Sequence, residues 1–322
     1  MEEFLAYSPE DVIGANLSEC DLRLDMICEQ ETAHLHELAA ELASGGTADP
    51  DFFRSLHDHR PQATPLDTDA LQQNAHALHA HRSMLTVWKS VTLCRELHRL
   101  LAKERQLRPE DFFGEPEELP EAASGRVVYQ RNGYADLAYL RFSACIEASR
   151  ALYAHSFSAV CDQIYNGSCE FGILPVESSA DGPLNSVLHL IDRYGLAVAA
   201  TLDVPTTDGS RTTRFALLRR ELRPLFEERG HARLFELSVA SDSSPSVAEL
   251  LCAAQGCGLK LLRTDTRPMQ MRDGKSAVRM VFASLGDELY TYLLYLAMEA
   301  PHYTPIGIYS HLADRPDSHK RY

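Results

Sequence analysis

Basic residues are scarce in this chain. Its 322 residues include 31 Lys and Arg against 46 Asp and Glu, which gives a formal net charge of -15 at pH 7. A negative charge of this size opposes attraction to nucleic acid phosphates and to anionic membrane surfaces. We therefore expect neither a nucleic acid nor a membrane as a partner.

Long apolar runs are also lacking, because no stretch reaches the roughly 18 consecutive apolar residues of a membrane-spanning helix. The first residues, MEEFLAYSPEDVIG, are acidic where a secretory signal has a basic stretch and then an apolar run. These two absences predict a cytoplasmic protein.

Closely spaced cysteine pairs are missing as well. The eight cysteines are Cys20, Cys28, Cys94, Cys145, Cys161, Cys169, Cys252 and Cys257. Without a C-x-x-C pair, neither a zinc ribbon nor a disulfide framework is indicated. We expect buried thiols that act as small apolar residues.

A histidine cluster is the remaining candidate for metal binding. His76 and His79 would share one face of a helix, whereas His81 would point elsewhere, and His57 and His59 precede them. No cysteine or carboxylate at ligand spacing completes a set, so we expect a solvated histidine-rich face and no metal. The sequence indicates no cofactor.

The first segment, residues 1–108, reads as helical because apolar residues recur every three and four positions. The pattern predicts a long helix up to Ser44-Gly45, a short helix after Asp49-Pro50 and a long helix from Thr68. Residues 109–125 begin with PEDFFGEPEELPE, which contains three prolines and no base. This composition favours an extended acidic linker.

Residues 126–224 change to short β-rich runs separated by helices. The predicted strands are 126–129, 171–176, 196–204 and 214–218, and Ser156 and Pro183 introduce the helices between them. This alternation is typical of an α/β layer with mainly parallel strands.

The segment 231–312 predicts a smaller unit, followed by a polar tail at 313–322. Its strands are expected at 234–239, 259–266, 278–285 and 306–309, and its helices begin after Ser244-Pro245 and at Asp287. The order βαββαβ is the ferredoxin-like split unit. The fold class is therefore multidomain, α followed by α/β.

An ordered series of motifs carries a resemblance to a known family. The series consists of SFSAVCDQIYNGSCEFGILPVESSADGPLN at 156–185, Thr213-Arg214-Phe215, Thr266-Arg267-Pro268 and PIGIY at 305–309. Together they resemble the prephenate dehydratase family, and the P-proteins that fuse a chorismate mutase, a prephenate dehydratase and an ACT regulatory domain. The resemblance implies a single reduced periplasmic-binding-type lobe at 126–224 and an ACT domain at 231–312.

The activity that the resemblance implies is the conversion of prephenate to phenylpyruvate, with loss of water and carbon dioxide, in phenylalanine biosynthesis. By the same resemblance, Thr213 is the hydroxyl donor with Arg214 beside it. Glu177, Ser178 and Ser179 would line the same cleft. Ser178 replaces the Asn of the family pattern and lacks the reach of an amide.

A missing segment weakens the expectation of catalysis. In the family, the chain crosses into a second lobe before the T-R-F motif, whereas here only residues 205–212 separate the two strands. Eight residues form a turn and cannot form βα units of about 30 residues each. We therefore expect dehydratase catalysis to be weak or lost.

Two other functions follow from the resemblance. A non-catalytic ACT-type sensor or regulatory partner would bind an aromatic amino acid at positions Ser246, Val247, Asp265, Thr266 and Arg267. The ligand is thus prephenate or a phenylalanine-like small molecule, and ACT-like pairing implies a homodimer or higher oligomer.

The helices at 1–108 occupy the chorismate mutase position, which leaves a residual chorismate mutase as a third hypothesis.

Overall fold

The computed structural model describes residues 26, 29–45, 51–61, 75–114, 119–225, 233–268 and 276–312, without the side chains of 75–85. Several sequence predictions lie outside these residues. They are the apolar positions before residue 26, Cys20 and Cys28, the helix start at Thr68, the side chains of His76, His79 and His81, the turn at 271–275 and the tail at 313–322.

The described helices and strands follow one another in a fixed order along the chain. The helices are α1 (29–45), α2 (Phe52–Ser55), α3 (Ala75–Glu104), α4 (Pro109–Phe113), α5 (Gly133–Ser143), α6 (Phe157–Tyr165), α7 (Asn185–Tyr194), α8 (Val247–Cys257) and α9 (Glu288–Glu299). The strands are β1 (Arg126–Gln130), β2 (Arg150–Ala154), β3 (Phe171–Ser178), β4 (Gly182–Pro183), β5 (Ala197–Pro205), β6 (Thr212–Arg219), β7 (Arg233–Ala240), β8 (Lys260–Pro268), β9 (Ser276–Ser284) and β10 (Thr304–Leu312).

The first α/β layer contains strands in the order β2-β1-β3-β6-β5, with α6 and α7 on one face and α5 on the other. The Ser156 side chain caps α6, as predicted, because its oxygen accepts a hydrogen bond from the Ala159 N–H. The strands of this layer are mainly parallel, as predicted, because β1, β2, β3 and β5 run in the same direction. The exception among these five strands is β6, which is antiparallel to both of its neighbours because it forms a hairpin with β5.

The second half has the βαββαβ order that the sequence predicts. Its strands lie in the order β10-β7-β9-β8, and both of its helices, α8 and α9, pack on one face. Buried residues such as Phe235, Leu237 and Phe282 contact these helices. The opposite face carries no helix of its own half and is turned toward the first layer.

The two halves form one continuous sheet. Strand β10 pairs in parallel with β5, with Gly307 opposite Val198, and in antiparallel orientation with β7. A Cβ atom on Gly307 would lie 2.6 Å from the Val198 carbonyl oxygen, so the two backbones approach more closely than a side chain permits. This junction positions the candidate site described below.

The N-terminal helices have the predicted long-short-long arrangement, and they share a core with the second half. Helix α3 packs across α8 and α9, where Val91, Leu97 and Leu101 join the buried tyrosines of α9. Ser90 donates a hydrogen bond of 2.5 Å to the buried Glu299 carboxylate. Among the described helices, none is both long and apolar enough to cross a bilayer.

The prediction of an extended linker at 109–125 is wrong for its first part. Pro109–Phe113 forms a short helix whose N-terminal backbone is bonded to the Asp111 carboxylate. The centroid of the Phe112 ring lies 4.6 Å from that of Phe53 and 6.2 Å from that of Tyr290. Burial of these rings outweighs the repulsion between neighbouring acids.

Candidate functional site

The ends of β3 and β6 bring the predicted catalytic positions together. In their antiparallel register, Glu177 lies opposite Arg214 and Ser178 lies opposite Thr213. Ser179 follows at once, and its side-chain oxygen accepts a 2.9 Å hydrogen bond from the Thr212 N–H. The two motifs are therefore neighbours in space although they are distant in sequence.

Arg214 is held by two carboxylates. Its Nε and Nη2 donate to the two oxygens of Asp203 at 2.8 and 3.1 Å, and its Nη1 donates to Glu177 Oε2 at 3.1 Å. The hydrogen bonds that Arg214 donates to Asp203 are the main cause that raises the pKa of Arg214. Such a bidentate pair is the strongest form of arginine–carboxylate contact.

The Glu177 carboxylate continues the network to β8 in the second half. Arg263 donates from Nη1 to Glu177 Oε2 at 2.8 Å and lies 2.7 Å from Asp265 Oδ2 through its Nε. Two arginines thus share one oxygen of Glu177. The ion-pair chain connects β5, β6 and β3 to β8.

Thr213 and Arg214 lie on opposite faces of the sheet. Arg214 and Ala216 line a cavity on the face that carries α7, whereas Phe215 belongs to the core under α5. Because side chains alternate along a strand, Thr213 is on the α5 face. Ser178 Oγ donates to Asp181 Oδ2 at 3.3 Å within the turn that follows β3.

The predicted ligand positions of the second half are also divided between two faces. Ser246 caps α8 in a capping box, where its oxygen accepts from the Glu249 N–H at 3.3 Å and its N–H donates to Glu249 Oε2 at 2.7 Å. Val247 is half-buried against the helical core. Asp265 and Arg267 instead line the cavity on the helix-free face, and Thr266 alternates away from them.

Residues from both predicted sets therefore meet in one cavity of about 440 Å³. The residues that line it are Val176, Glu177, Pro183, Leu188, Val198, Thr201, Arg214, Ala216, Leu234, Glu236, Leu262, Arg263, Asp265, Arg267, Arg279, Val281, Tyr309 and His311. This volume is within the range of small-molecule sites, about 300–1,000 Å³. The convergence results from the pairing of β10 with β5.

Sequence reasoning missed several residues of this cavity. Arg279 is buried and ion-paired through Nε with Glu236, whose other oxygen accepts a 2.8 Å hydrogen bond from Tyr309. His311 Nδ1 lies 3.0 Å from Thr201 Oγ1. The sequence signal that could have revealed them is the presence of Glu236 and Arg279 among the apolar residues of β7 and β9, because a buried charge requires a partner.

The segment between β5 and β6 is a hairpin. Pro205 pairs with Thr212, and the Thr206 N–H donates to the Arg211 carbonyl at 2.8 Å. The Asp208 carboxylate accepts from Thr206 and Ser210, which lowers the pKa of Asp208 to about 2. No second lobe is inserted between these two described strands.

A larger cavity, of about 650 Å³, lies at the C-terminal end of α7. It is lined by residues such as Glu110, Tyr165, Arg220 and Glu221, and it contains none of the predicted site positions. The segments at 115–118 and 226–232, which flank its lining residues in sequence, are outside the described residues. The 440 Å³ cavity is the better defined site.

Three solved structures are similar to the chain at low identity. They are a prephenate dehydratase from Streptococcus mutans (18% identity, TM-score 0.48, covering 59% of this chain and 100% of that chain), GqqA, described as a novel type of quorum quenching acylase (17%, 0.43, 57% and 94%), and the prephenate dehydratase of Arthrobacter aurescens in complex with L-Phe (13%, 0.45, 57% and 90%). Among curated protein sequences, none matches the chain.

The family model described as prephenate dehydratase matches residues 130–208. This stretch runs from the end of β1 to the β5–β6 turn, and it contains β3 and its Glu177-Ser178-Ser179 end. Over residues 130–208 the chain therefore matches the prephenate dehydratase family, which confirms the resemblance that the motif at 156–185 indicates.

Proposed function

We propose that this protein is a prephenate dehydratase-family member that does not dehydrate prephenate and that acts as a ligand-binding regulatory protein. The observation that carries the proposal is the β5–β6 hairpin, in which Pro205 pairs directly with Thr212. A dehydratase cleft must exclude water and surround a dicarboxylate with fixed donors. A six-residue turn at 206–211 leaves no second wall for such a cleft within this chain.

The charge balance at Arg214 supports the same proposal. A cation that binds a substrate carboxylate must be free to turn toward it, whereas three of the five N–H donors of Arg214, one on each nitrogen, are bonded to Asp203 and Glu177. Displacing Asp203 would cost a bidentate charge-assisted pair. Arg214 therefore fits a role in joining strands better than a role in binding prephenate.

A binding role is supported by the 440 Å³ cavity, which combines apolar side chains with several arginines. Arginine guanidinium groups are the usual protein partners of carboxylates. The ligand class that fits is a small carboxylic acid with an apolar body, such as a phenylalanine-like molecule. This chemistry supports an aromatic amino acid sensor or a regulatory partner of a pathway enzyme.

The proposed homodimer would use the edge of β8. The opposite edge of the ferredoxin-like half is β10, which already pairs with β5. Side-by-side pairing of two such units requires a free strand edge. The third hypothesis, a residual chorismate mutase, stays a prediction that chorismate consumption by the purified full chain would support.

The test is an assay of phenylpyruvate formation from prephenate by the purified protein. We expect no formation above the uncatalysed rate. Turnover by the wild-type protein that disappears in Thr213→Ala, but persists in the exposed control Thr304→Ala, would overturn the proposal. Regulation is tested by adding the protein to an active dehydratase and measuring the rate with and without phenylalanine.

A further inference from the structure

The arginines that line the 440 Å³ cavity have more hydrogen-bond donors than the carboxylates of the cavity accept. Arg214 and Arg263 are paired with Asp203, Glu177 and Asp265, as described above. Arg279 is paired with Glu236 through Nε alone. Arg267, on β8, makes no hydrogen bond or ion pair with the residues that the structure describes.

Arg279 leaves a buried donor atom without a partner. Its side chain is only 7% exposed, and its Nη1 makes no hydrogen bond to the described part of the chain. Leaving a buried donor of a charged group unpaired costs free energy, because the group has lost its bonds to water without gaining a partner. An anionic group in the cavity would remove that cost.

Arg267 is the second cation at this position. Its guanidinium is half-buried and acts electrostatically on Arg279. Burial is the main cause that lowers the pKa of Arg267, and repulsion from Arg279 adds to the effect. Two guanidinium groups that repel each other around an unpaired donor favour a bound anion.

The acids that face this pair do not satisfy it. Glu236 uses one oxygen on Arg279 Nε and the other on the Tyr309 hydroxyl. Asp265 is bonded to Arg263. Asp192 acts on both arginines through its charge from the exposed side of α7, without a hydrogen bond to either.

Apart from Thr201 and His311, which bond to each other, the remaining lining is apolar. Val176, Leu188, Leu234 and Val281 extend from the arginine pair toward the first layer. Such a wall favours a ligand with a hydrocarbon or aromatic body over a free inorganic anion.

We infer that Arg267 and Arg279 bind the carboxylate of a small apolar carboxylic acid at the junction of the two halves of the sheet. This inference rests on the proposed binding function. The site shares Arg267 with the ligand positions that the family resemblance implies, but it lies on the helix-free face, away from the helix start at Ser246–Val247. It is formed within one chain, so it needs no second copy.

The experiment is calorimetric titration of the full chain with 3-phenylpropionate, and in parallel with phenylalanine and phenylpyruvate. The neutral control ligand is 3-phenylpropionamide, which has the same body without the charge. We expect at least one carboxylate to bind, the amide to bind at least tenfold more weakly, and Arg267→Gln to weaken carboxylate binding at least tenfold. Arg267→Lys keeps the positive charge but lacks the paired guanidinium donors, so it should bind the carboxylate more tightly than Arg267→Gln and less tightly than the wild type.

Exposed Arg150 on β2 supplies the matched control, because Arg150→Gln removes an arginine far from the cavity and should leave binding unchanged. Arg279→Lys is the second variant, since it keeps the pair with Glu236 while removing Nη1. No binding of any of the three acids at millimolar concentration would overturn the inference, as would unchanged binding in both Arg267→Gln and Arg279→Lys. Prephenate turnover would overturn the proposed function instead, so the two failures are distinguishable.

Discussion

Arg214 binds Asp203 through two parallel hydrogen bonds, from Nε to Oδ1 at 2.8 Å and from Nη2 to Oδ2 at 3.1 Å. The two residues lie opposite each other in the β5–β6 hairpin. The arginine of the T-R-F motif therefore neutralises a carboxylate of its own chain.

The first prediction concerns the pH dependence of this pair. Burial alone would raise the pKa of Asp203, but the hydrogen bond and charge of Arg214 outweigh it and hold the pKa below its ordinary value. The ionised carboxylate thus contributes stability above the unfolded pKa, about 4, and loses it as the pH falls through the lower folded value. We expect Asp203→Asn to lower the free energy of unfolding by about 1 kcal/mol at pH 7, because solvent screens these partly exposed side chains.

Urea unfolding at pH 7 and at about pH 3 measures this difference for wild type and variant. The difference should shrink toward zero at the lower pH, where the wild-type carboxylate is increasingly protonated. Exposed Asp58 provides the control, since Asp58→Asn should change little at either pH. If Asp203→Asn lowered the free energy of unfolding by the same amount at both pH values, the stabilising role of the ionised Asp203 carboxylate would be contradicted.

The second prediction concerns the junction of the sheet at Gly307. A Cβ atom there would lie 2.6 Å from the Val198 carbonyl oxygen and 2.9 Å from Val198 Cβ. Gly307→Ala should therefore separate β10 from β5 and lower the free energy of unfolding by about 1–3 kcal/mol. Gly133→Ala is the control, because a Cβ at that helix start meets no atom within 4 Å. Equal stability of the two variants in urea would show that the junction tolerates a methyl group.

The third prediction tests whether the N-terminal helices and the ferredoxin-like half unfold together. Leu293 of α9 is 1% exposed in the core that α3 shares. Leu293→Ala should destabilise the protein by about 2–5 kcal/mol. Because Trp88 of α3 is the only tryptophan of the chain, its fluorescence reports on that helix.

The fluorescence midpoint of Trp88 should shift in Leu293→Ala by the same amount as the circular dichroism midpoint. Leu140→Ala removes a leucine that is 66% exposed and should leave both midpoints in place. A Trp88 transition that stays at its wild-type position in Leu293→Ala would mean that the helices form an independent unit.

The fourth prediction concerns thiol reactivity. Burial raises the pKa of Cys161 to about 11 and that of Cys257 to about 12. Since the thiolate is the reactive form, both should resist iodoacetamide at pH 8 in the folded protein. Cys145 and Cys252 are partly exposed and should be modified first. Peptide mass mapping after timed labelling checks the order, and denatured protein serves as the control in which all four react.

Much of the local structure was predictable from the sequence. The strand at 171–176, the helix after Ser156 and the βαββαβ order of the second half follow from periodicity and caps, which are local properties. Strand β2 was missed, and its pattern explains why. Leu152 and Tyr153 of β2 are exposed at an edge, so the segment lacks the buried alternation that marks a strand.

The candidate site was predictable only in parts. Glu177 and Arg214 were found by two motifs, and Asp265 and Arg267 by a third, and nothing local in the sequence joins the catalytic set to the ligand set. Their meeting depends on the β10–β5 pairing, which is a long-range contact. The unpaired Nη1 of Arg279 is likewise a property of packing, which one-dimensional patterns do not contain.

Because β10 pairs with β5, part of the sheet can form only after the C-terminal strand has been synthesised. As the chain leaves the ribosome, β5 is complete long before β10, and until Thr304–Leu312 emerges it remains an open strand edge. Such an edge can recruit a strand from another nascent chain, and closing it requires a slow, non-local contact. A chain interrupted after α9 would keep that edge exposed, and the exposed edge would favour pairing with a strand of another chain.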